Sequence, residues 1–146
     1  MTGGLILRLR PHEKFLINGV ILENGEKRAK LRVKSEGANI LRLRDALHPS
    51  EANTPVKRLY YAAQLIVTGD LAAETAMPEL HQGLSDLYDA LPDEECREQI
   101  ENARAHLQAK EYYRALRALK SLLPLEEKLL LIAQMKSAPA AEPRAE

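Results

Sequence analysis

The spacing of the hydrophobic residues changes near residue 50 of this 146-residue chain, and that change constrains the fold most. Before it, apolar residues tend to alternate with polar ones, as in strands with one buried face. After it, they recur every three or four residues, as on one side of a helix. The pattern predicts an α+β fold, with a small, mostly antiparallel β module over residues 1–48 and a helical module over residues 54–135.

Turn signals divide the first segment into short strands. Residues 5–10 largely alternate, and Pro11 ends this strand because proline cannot donate to a strand ladder. Asn18-Gly19 separates two apolar runs and predicts a tight hairpin, since its turn needs positive φ at both central residues. Two further strands are predicted over residues 27–34 and 39–43.

The second segment predicts a series of helices. The first begins with Asn53 as its N-cap, and Pro78 either begins or kinks the second. The residues that separate one helix from the next are Gly69, Pro92 and Pro124, with a further turn-rich helix after Pro124. Residues 137–146 lack large apolar side chains, so we predict a disordered tail there.

Composition excludes several classes of protein. The chain is 45% hydrophobic and 29% charged, which is ordinary for a globular domain. No apolar run approaches the roughly 20 residues of a membrane span, and the first residues do not resemble a signal peptide. We therefore expect a cytoplasmic protein with no membrane partner.

The sequence does not assemble a catalytic or metal site. Its four histidines are scattered and none has metal-ligand spacing, and no glycine-rich phosphate loop precedes a helix. The single cysteine, Cys96, lies on the apolar stripe of its helix, where a small buried thiol is expected rather than a nucleophile. The sequence therefore predicts no enzyme, no cofactor and no metal.

The net charge of zero hides an asymmetry between the two halves. Residues 1–58 hold 12 Lys or Arg and 6 Asp or Glu, and the remaining residues hold 9 and 15. Strand alternation projects seven cations away from the aliphatic side chains, and these would cover the solvent face of a sheet if the strands share one: Arg8, Arg10, Lys30, Arg32, Lys34, Arg42 and Arg44. Such a face can hold a nucleic-acid backbone, whereas the alternative is a solvated face that keeps the module soluble.

Two pairs of adjacent tyrosines occur in the predicted helices, Tyr60-Tyr61 and Tyr112-Tyr113. Adjacent helix residues point about 100° apart, so one ring of each pair can enter the core while the other lies near its edge. Tyr61 and Tyr113 are the candidate partner-binding residues, and packing at the core boundary is the alternative.

Four motifs then follow one another along the chain: Glu13-Lys14-Phe15-Leu16-Ile17-Asn18-Gly19, Asn24-Gly25, Asn53-Thr54-Pro55 with Tyr60 following, and Lys110-Glu111-Tyr112-Tyr113-Arg114-Ala115-Leu116. In order and approximate spacing they resemble the FlbT family of flagellar biosynthesis repressors, over about residues 5–123. The resemblance implies a bacterial cytoplasmic regulator that associates with the 5′ untranslated region of flagellin messenger RNA and promotes its decay. It also implies a functional link to a small partner, FlaF. Some members activate instead, so the resemblance does not give the sign of regulation.

A second, shorter resemblance covers the β module alone. Leu5-Ile6-Leu7, Glu13, Leu16-Ile17, Val33-Lys34 and Ile40-Leu41-Arg42 are similar to the carbon storage regulator family. Those proteins are small β dimers that bind messenger RNA leaders through their first and last strands, and Arg42 falls on their last-strand arginine. Strand one departs from the family's threonine-arginine, so its contact would move to Arg8 or Arg10.

The function favoured by these observations is RNA-binding regulation of flagellin synthesis, with the seven cations as the contact surface for the messenger RNA leader. The alternative is a protein-binding adaptor or chaperone-like flagellar factor that acts through its helical module without direct RNA contact. The sequence leaves open whether the chain forms a homo-oligomer.

Overall fold

The computed structural model describes residues 5–18, 20–35 and 38–141. Within these ranges, five strands precede four helices: β1 (Leu5–Leu9), β2 (Lys14–Ile17), β3 (Val20–Glu23), β4 (Ala29–Val33), β5 (Ile40–Arg42), α1 (Pro55–Thr68), α2 (Ala73–Ala90), α3 (Glu94–Gln108) and α4 (Tyr112–Ala141). Two short 3₁₀ turns, Leu43–Asp45 and Pro49–Glu51, connect β5 to α1. This order confirms the α+β fold class.

The strands form two small antiparallel sheets rather than one. β1 pairs with β4, whereas β2 lies between β3 and β5. The condition under which the seven cations would cover one solvent face, a single shared sheet, is therefore not met. Alternation fixes which side chains share a face of one strand, but it does not determine which strands pair.

The hairpin between β2 and β3 confirms the turn predicted at Asn18-Gly19. Ile17 pairs with Val20, which leaves a two-residue loop. Asn18 has a φ of 51°, as the first central residue of such a turn requires. Gly19 lies outside the described residues.

The helix ends follow the capping rules, with one shift of position. Thr54 rather than Asn53 caps α1, because its hydroxyl accepts a hydrogen bond from the Lys57 N–H at 3.2 Å. Gly69 ends α1 with a φ of 86°, a conformation that glycine adopts without strain. Pro78 lies inside α2 rather than at its start.

α4 continues through Pro124, where we expected an interruption. Proline removes one helix hydrogen bond, but the residues on both sides of it are held by packing. Leu119 and Leu122 are fully buried before it. Glu126 follows it, and its carboxylate accepts hydrogen bonds from the Thr54 hydroxyl at 2.6 Å and the Val56 N–H at 3.0 Å. The helix extends to Ala141, five residues into the segment predicted as a tail; residues 142–146 lie outside the described part of the chain.

One hydrophobic core joins the β module to the helices. Leu7, Leu9 and Phe15 belong to the same buried cluster as the apolar faces of α1 to α4. Cys96 is buried in this cluster, as its position on the apolar stripe predicted, and burial raises the pKa of its thiol. No helix among the described residues is both long enough and apolar enough to cross a bilayer.

Candidate nucleic-acid interface

Two adjoining cavities, each of about 550 Å³, lie beside the start of α4. The first separates it from the β1–β4 ribbon, and the second lies against the end of α3. Arg42, Arg44 and Arg117 line both cavities, so the two form one continuous feature. We call it the basic cleft, after the cations that line it: Arg8, Arg10, Arg28, Lys30, Arg42, Arg44, Arg114, Arg117 and Lys120. Asp45 is the one acidic residue among the lining residues, and the Lys120 ammonium donates a hydrogen bond to its carboxylate.

Strand alternation places the ribbon's cations at the cleft. In β1, Leu7 and Leu9 enter the core, so Arg8 projects from the opposite face. Arg8 pairs with Lys30 of β4, and directly paired residues lie on the same face of a sheet. Arg10 follows β1 and lines the same cavity. The ribbon therefore presents two adjacent positive charges with no carboxylate opposite them in the ladder.

Arg42 contradicts the expectation that alternate β5 residues face solvent. All three residues of β5 are buried, and Arg42 is only 5% exposed. Its Nη1 donates to Glu13 Oε2 at 3.3 Å, and both side chains are 7% exposed. β5 contacts β2 along one edge and also packs against α1, so the strand has no open face on which an alternating cation could be exposed.

Glu13 organises the arginines around it. Its Oε1 accepts a hydrogen bond from the backbone N–H of Arg10 at 2.8 Å, and its Oε2 lies 3.6 Å from the Nε of Arg44. One buried carboxylate thus holds Arg42 and Arg44 side by side. Arg44 remains partly exposed, with 41% of its side chain accessible.

The Nε of Arg42 is buried and finds no hydrogen-bond partner among the residues that the structure describes. Buried polar groups in native proteins are nearly always satisfied, so such an atom marks either strain or a site where a ligand supplies the acceptor. Arg42 lines both cavities of the basic cleft. The Nε is therefore a donor suited to an anion that enters the cleft.

α4 supplies three cations that sequence reasoning missed. Arg114, Arg117 and Lys120 recur every third residue, and this spacing places them on one side of a helix. The overall acidity of residues 59–146 concealed this stripe, because net charge over a long segment says nothing about one helix face. Arg28, which lies just before β4 and alternates in phase with Lys30, also lines the cleft, although it was not among the seven cations.

Tyr113 lines the second cavity of the cleft with a largely buried ring and does not lie on an outer surface. It is only 9% exposed and belongs to the hydrophobic core, so it does not offer a ring to a partner and that prediction is wrong. Burial raises the pKa of its phenol, and the nearby positive charge of Arg42 partly opposes that rise. In the other pair Tyr60 is buried and Tyr61 is half-buried, so Tyr61 stays a candidate for partner contact.

The structure brings together five of the seven cations chosen from the sequence, namely Arg8, Arg10, Lys30, Arg42 and Arg44. Arg32 pairs with Ile6 on the same face of the ribbon but does not line the cleft, and Lys34 lies just beyond the end of β4. The site is therefore a cleft between a ribbon and a helix, and not the face of a sheet.

Comparison with known proteins adds the family. Residues 5–130 match the family model described as Flagellar protein FlbT. The chain belongs to the FlbT family. This confirms the resemblance read from the four motifs; the resemblance to the carbon storage regulator family stays a prediction.

Relatives of the chain carry consistent names. It is similar to the flagellum biosynthesis repressor protein FlbT of Caulobacter vibrioides, with 28% identity over 86% of this chain and 89% of the relative. It is also similar to the "Probable flagellum biosynthesis repressor protein FlbT" of Rhodopseudomonas palustris, with 34% identity over 86% of this chain and 97% of the relative. No solved structure matches the chain.

Proposed function

We propose that this chain is a post-transcriptional regulator of flagellum biosynthesis that binds the leader of flagellin messenger RNA in the basic cleft and promotes decay of that messenger. Family membership and the repressor names of its relatives support the regulatory part of the proposal. The RNA-binding part rests on one observation, the convergence of nine cations from the β module and α4 on one cleft.

The chemistry of the cleft suits a phosphate backbone better than it suits bases. Eight of the nine lining cations are exposed arginines or lysines, and Arg42 adds a buried donor. The lining residues carry two aromatic rings, the buried Tyr113 and the imidazole of His106, so the cleft offers few surfaces on which splayed bases could stack. Binding would therefore draw its affinity from charge and counterion release, which makes it depend steeply on salt.

A salt titration with matched variants tests this proposal. The probe is a labelled single-stranded RNA with the sequence of the chain's own flagellin leader, and the readout is fluorescence anisotropy. The double variant Arg8→Ala/Lys30→Ala removes two exposed cations from the ribbon, and Arg117→Ala removes one from α4. Each lost phosphate contact should flatten the log–log salt slope by about 0.7, and affinity should fall across unrelated RNA sequences as well.

Arg58→Ala is the matched control, because Arg58 is an exposed arginine of α1 that does not line the cleft. It should leave both the affinity and the slope unchanged. If the cleft variants bind RNA like the parent at every salt concentration, the RNA-binding proposal is wrong. If Arg58→Ala weakens binding as much as they do, the contact is diffuse and the cleft is not the site.

A protein-binding adaptor is the second candidate, and one observation favours it. Beyond Glu126, α4 carries exposed aliphatic residues at four consecutive positions, 129–132, followed by Met135, which is 67% exposed. Four consecutive residues face all sides of a helix, and a helix that is apolar all round is normally buried. In this alternative FlaF is the partner, and Leu131→Asp should abolish a complex between the two purified proteins while leaving RNA binding intact.

A further inference from the structure

The exposed strand β3 forms the outer edge of the β3–β2–β5 sheet. All four of its residues are exposed, and three consecutive ones are aliphatic: Val20 is 56% exposed, Ile21 62% and Leu22 40%. Exposed apolar edge strands readily pair with other strands, and proteins usually protect them with lysine, proline or a covering element. β3 contains neither lysine nor proline.

The other strands of the described chain differ from β3 in this respect. β1 and β4 carry Arg8, Lys30 and Arg32 along their length, and such charges discourage pairing with a further strand. β5 has only three residues, and all of them are buried. Of the strands that the structure describes, β3 is thus the one whose edge is open, apolar and without a cation.

Hydrogen bonds at both ends of the hairpin fix which backbone groups of β3 point outward. The Asn24 N–H donates to the Glu13 carbonyl at 2.8 Å, so even-numbered residues of β3 face β2. On the far side of β2, the Asn18 N–H donates to the Asn39 carbonyl at 2.8 Å. Even-numbered residues of β2 therefore face β5 and odd-numbered ones face β3, which agrees with the pairing above. Because antiparallel ladders alternate, the N–H and C=O of Ile21 point away from β2.

We propose that β3 pairs with β3 of a second copy of this chain, antiparallel and around a two-fold axis at Ile21. In this register the two Ile21 residues exchange both backbone hydrogen bonds, and Val20 of each copy lies opposite Leu22 of the other. Glu23 lies beyond Val20 of the other copy, so the two carboxylates do not face each other. The pairing joins two three-stranded sheets into one of six strands.

A second copy of the chain suits this edge because the edge is complementary to itself, with aliphatic side chains against aliphatic side chains and no like charges opposed. In a contact with two-fold symmetry, each residue either meets the same residue of the other chain, or residue i meets residue j while residue j meets residue i. The sequence Val20-Ile21-Leu22 meets this condition with only aliphatic residues. The proposal is independent of RNA binding, since it uses no residue that lines the basic cleft.

Complementary charges at position 21 provide the test. The unaltered chain should be a dimer by sedimentation equilibrium. Ile21→Lys and Ile21→Glu should each be folded monomers, because the two-fold axis sets like charges directly opposite each other, and dimer affinity should fall by more than about tenfold. An equimolar mixture of the two variants should dimerise again, since the introduced lysine of one chain then faces the introduced glutamate of the other across the interface.

The control is Leu131→Lys, which places the same charge on a different exposed apolar surface, at a residue of α4 that is 56% exposed. It should remain dimeric. A monomeric parent overturns the proposal, and so does a dimer that survives Ile21→Lys. Dimerisation that is lost in Leu131→Lys and kept in Ile21→Lys assigns the second copy to α4 instead.

A measurement on the unaltered chain covers the case in which a variant fails to fold. Hydrogen exchange of the Ile21 amide should be slow at high protein concentration and fast after dilution, whereas the Leu22 amide, which faces β2, should stay protected at both. Fast exchange of the Ile21 amide at every concentration would refute the pairing.

Discussion

Breaking the Arg42–Glu13 pair should destabilise the protein far more than the removal of a surface arginine. Substitution at an exposed position, where strand alternation alone would place Arg42, would change the free energy of unfolding by about 0.5 kcal/mol or less. In the structure both side chains are 7% exposed and joined at 3.3 Å. Removing one partner of a buried pair leaves an uncompensated charge and costs about 3–5 kcal/mol.

The neighbouring groups set the expected magnitude for each variant. Arg42→Met leaves Glu13 with the Arg10 N–H at 2.8 Å and with Arg44 at 3.6 Å, so the cost should lie at the lower end, about 3 kcal/mol. Glu13→Gln should cost less, about 2 kcal/mol, because the glutamine amide oxygen can still accept a hydrogen bond from the Arg42 guanidinium. The double variant removes both charges and should cost about 2 kcal/mol, which leaves a coupling of about 3 kcal/mol.

The assay is urea denaturation followed by far-ultraviolet circular dichroism, with the m-value checked for constancy across the series. Arg8→Met serves as the exposed control and should change stability by about 0.5 kcal/mol or less. If Arg42→Met behaves like Arg8→Met, or if the two single variants are simply additive, the Arg42 side chain projects into solvent and the buried pair does not exist.

Two further predictions concern α4. Glu126→Ala should destabilise the protein by about 2 kcal/mol in the same denaturation assay, because it removes the acceptor for the Thr54 hydroxyl and the Val56 N–H, whereas the exposed Glu127→Ala should have little effect. Burial raises the pKa of Tyr113, so as the pH rises above about 10 the unfolded chain loses the phenol proton before the folded chain does. The stability that this group contributes is complete below that pH and should decline above it. Tyr113→Phe should make the decline shallower by up to about 1.4 kcal/mol per pH unit.

Local features of the fold could be predicted from the sequence because local chemistry determines them. The Asn18-Gly19 turn needs positive φ, and the sequence supplies residues that tolerate it. Gly69 ends α1 for the same reason. The burial of Cys96 followed from helical spacing alone.

Features that depend on distant parts of the chain could not be predicted in this way. Alternation assigns Arg42 to one face of β5, but whether that face meets solvent depends on Glu13, which lies 29 residues away, and on α1. In the same way, proline disfavours a helix interior by its own chemistry, and α4 continues through Pro124 because Leu119 and Leu122 are buried before it and Glu126 docks on the start of α1 after it. Tertiary contacts override local preference at both positions.

The division into a basic half and an acidic half is the inference that the structure changes most. The charges that line the cleft belong to faces of individual elements. Arg114, Arg117 and Lys120 form such a face at the start of α4, within a segment that is acidic overall. Asp45 ties the two parts together, since its carboxylate accepts from Lys120 and its carbonyl accepts from the Tyr60 hydroxyl. The basic cleft therefore forms only when the β module and the helices fold as one unit around their shared core, and an isolated β module would retain the ribbon's cations without the wall of α4 that faces them.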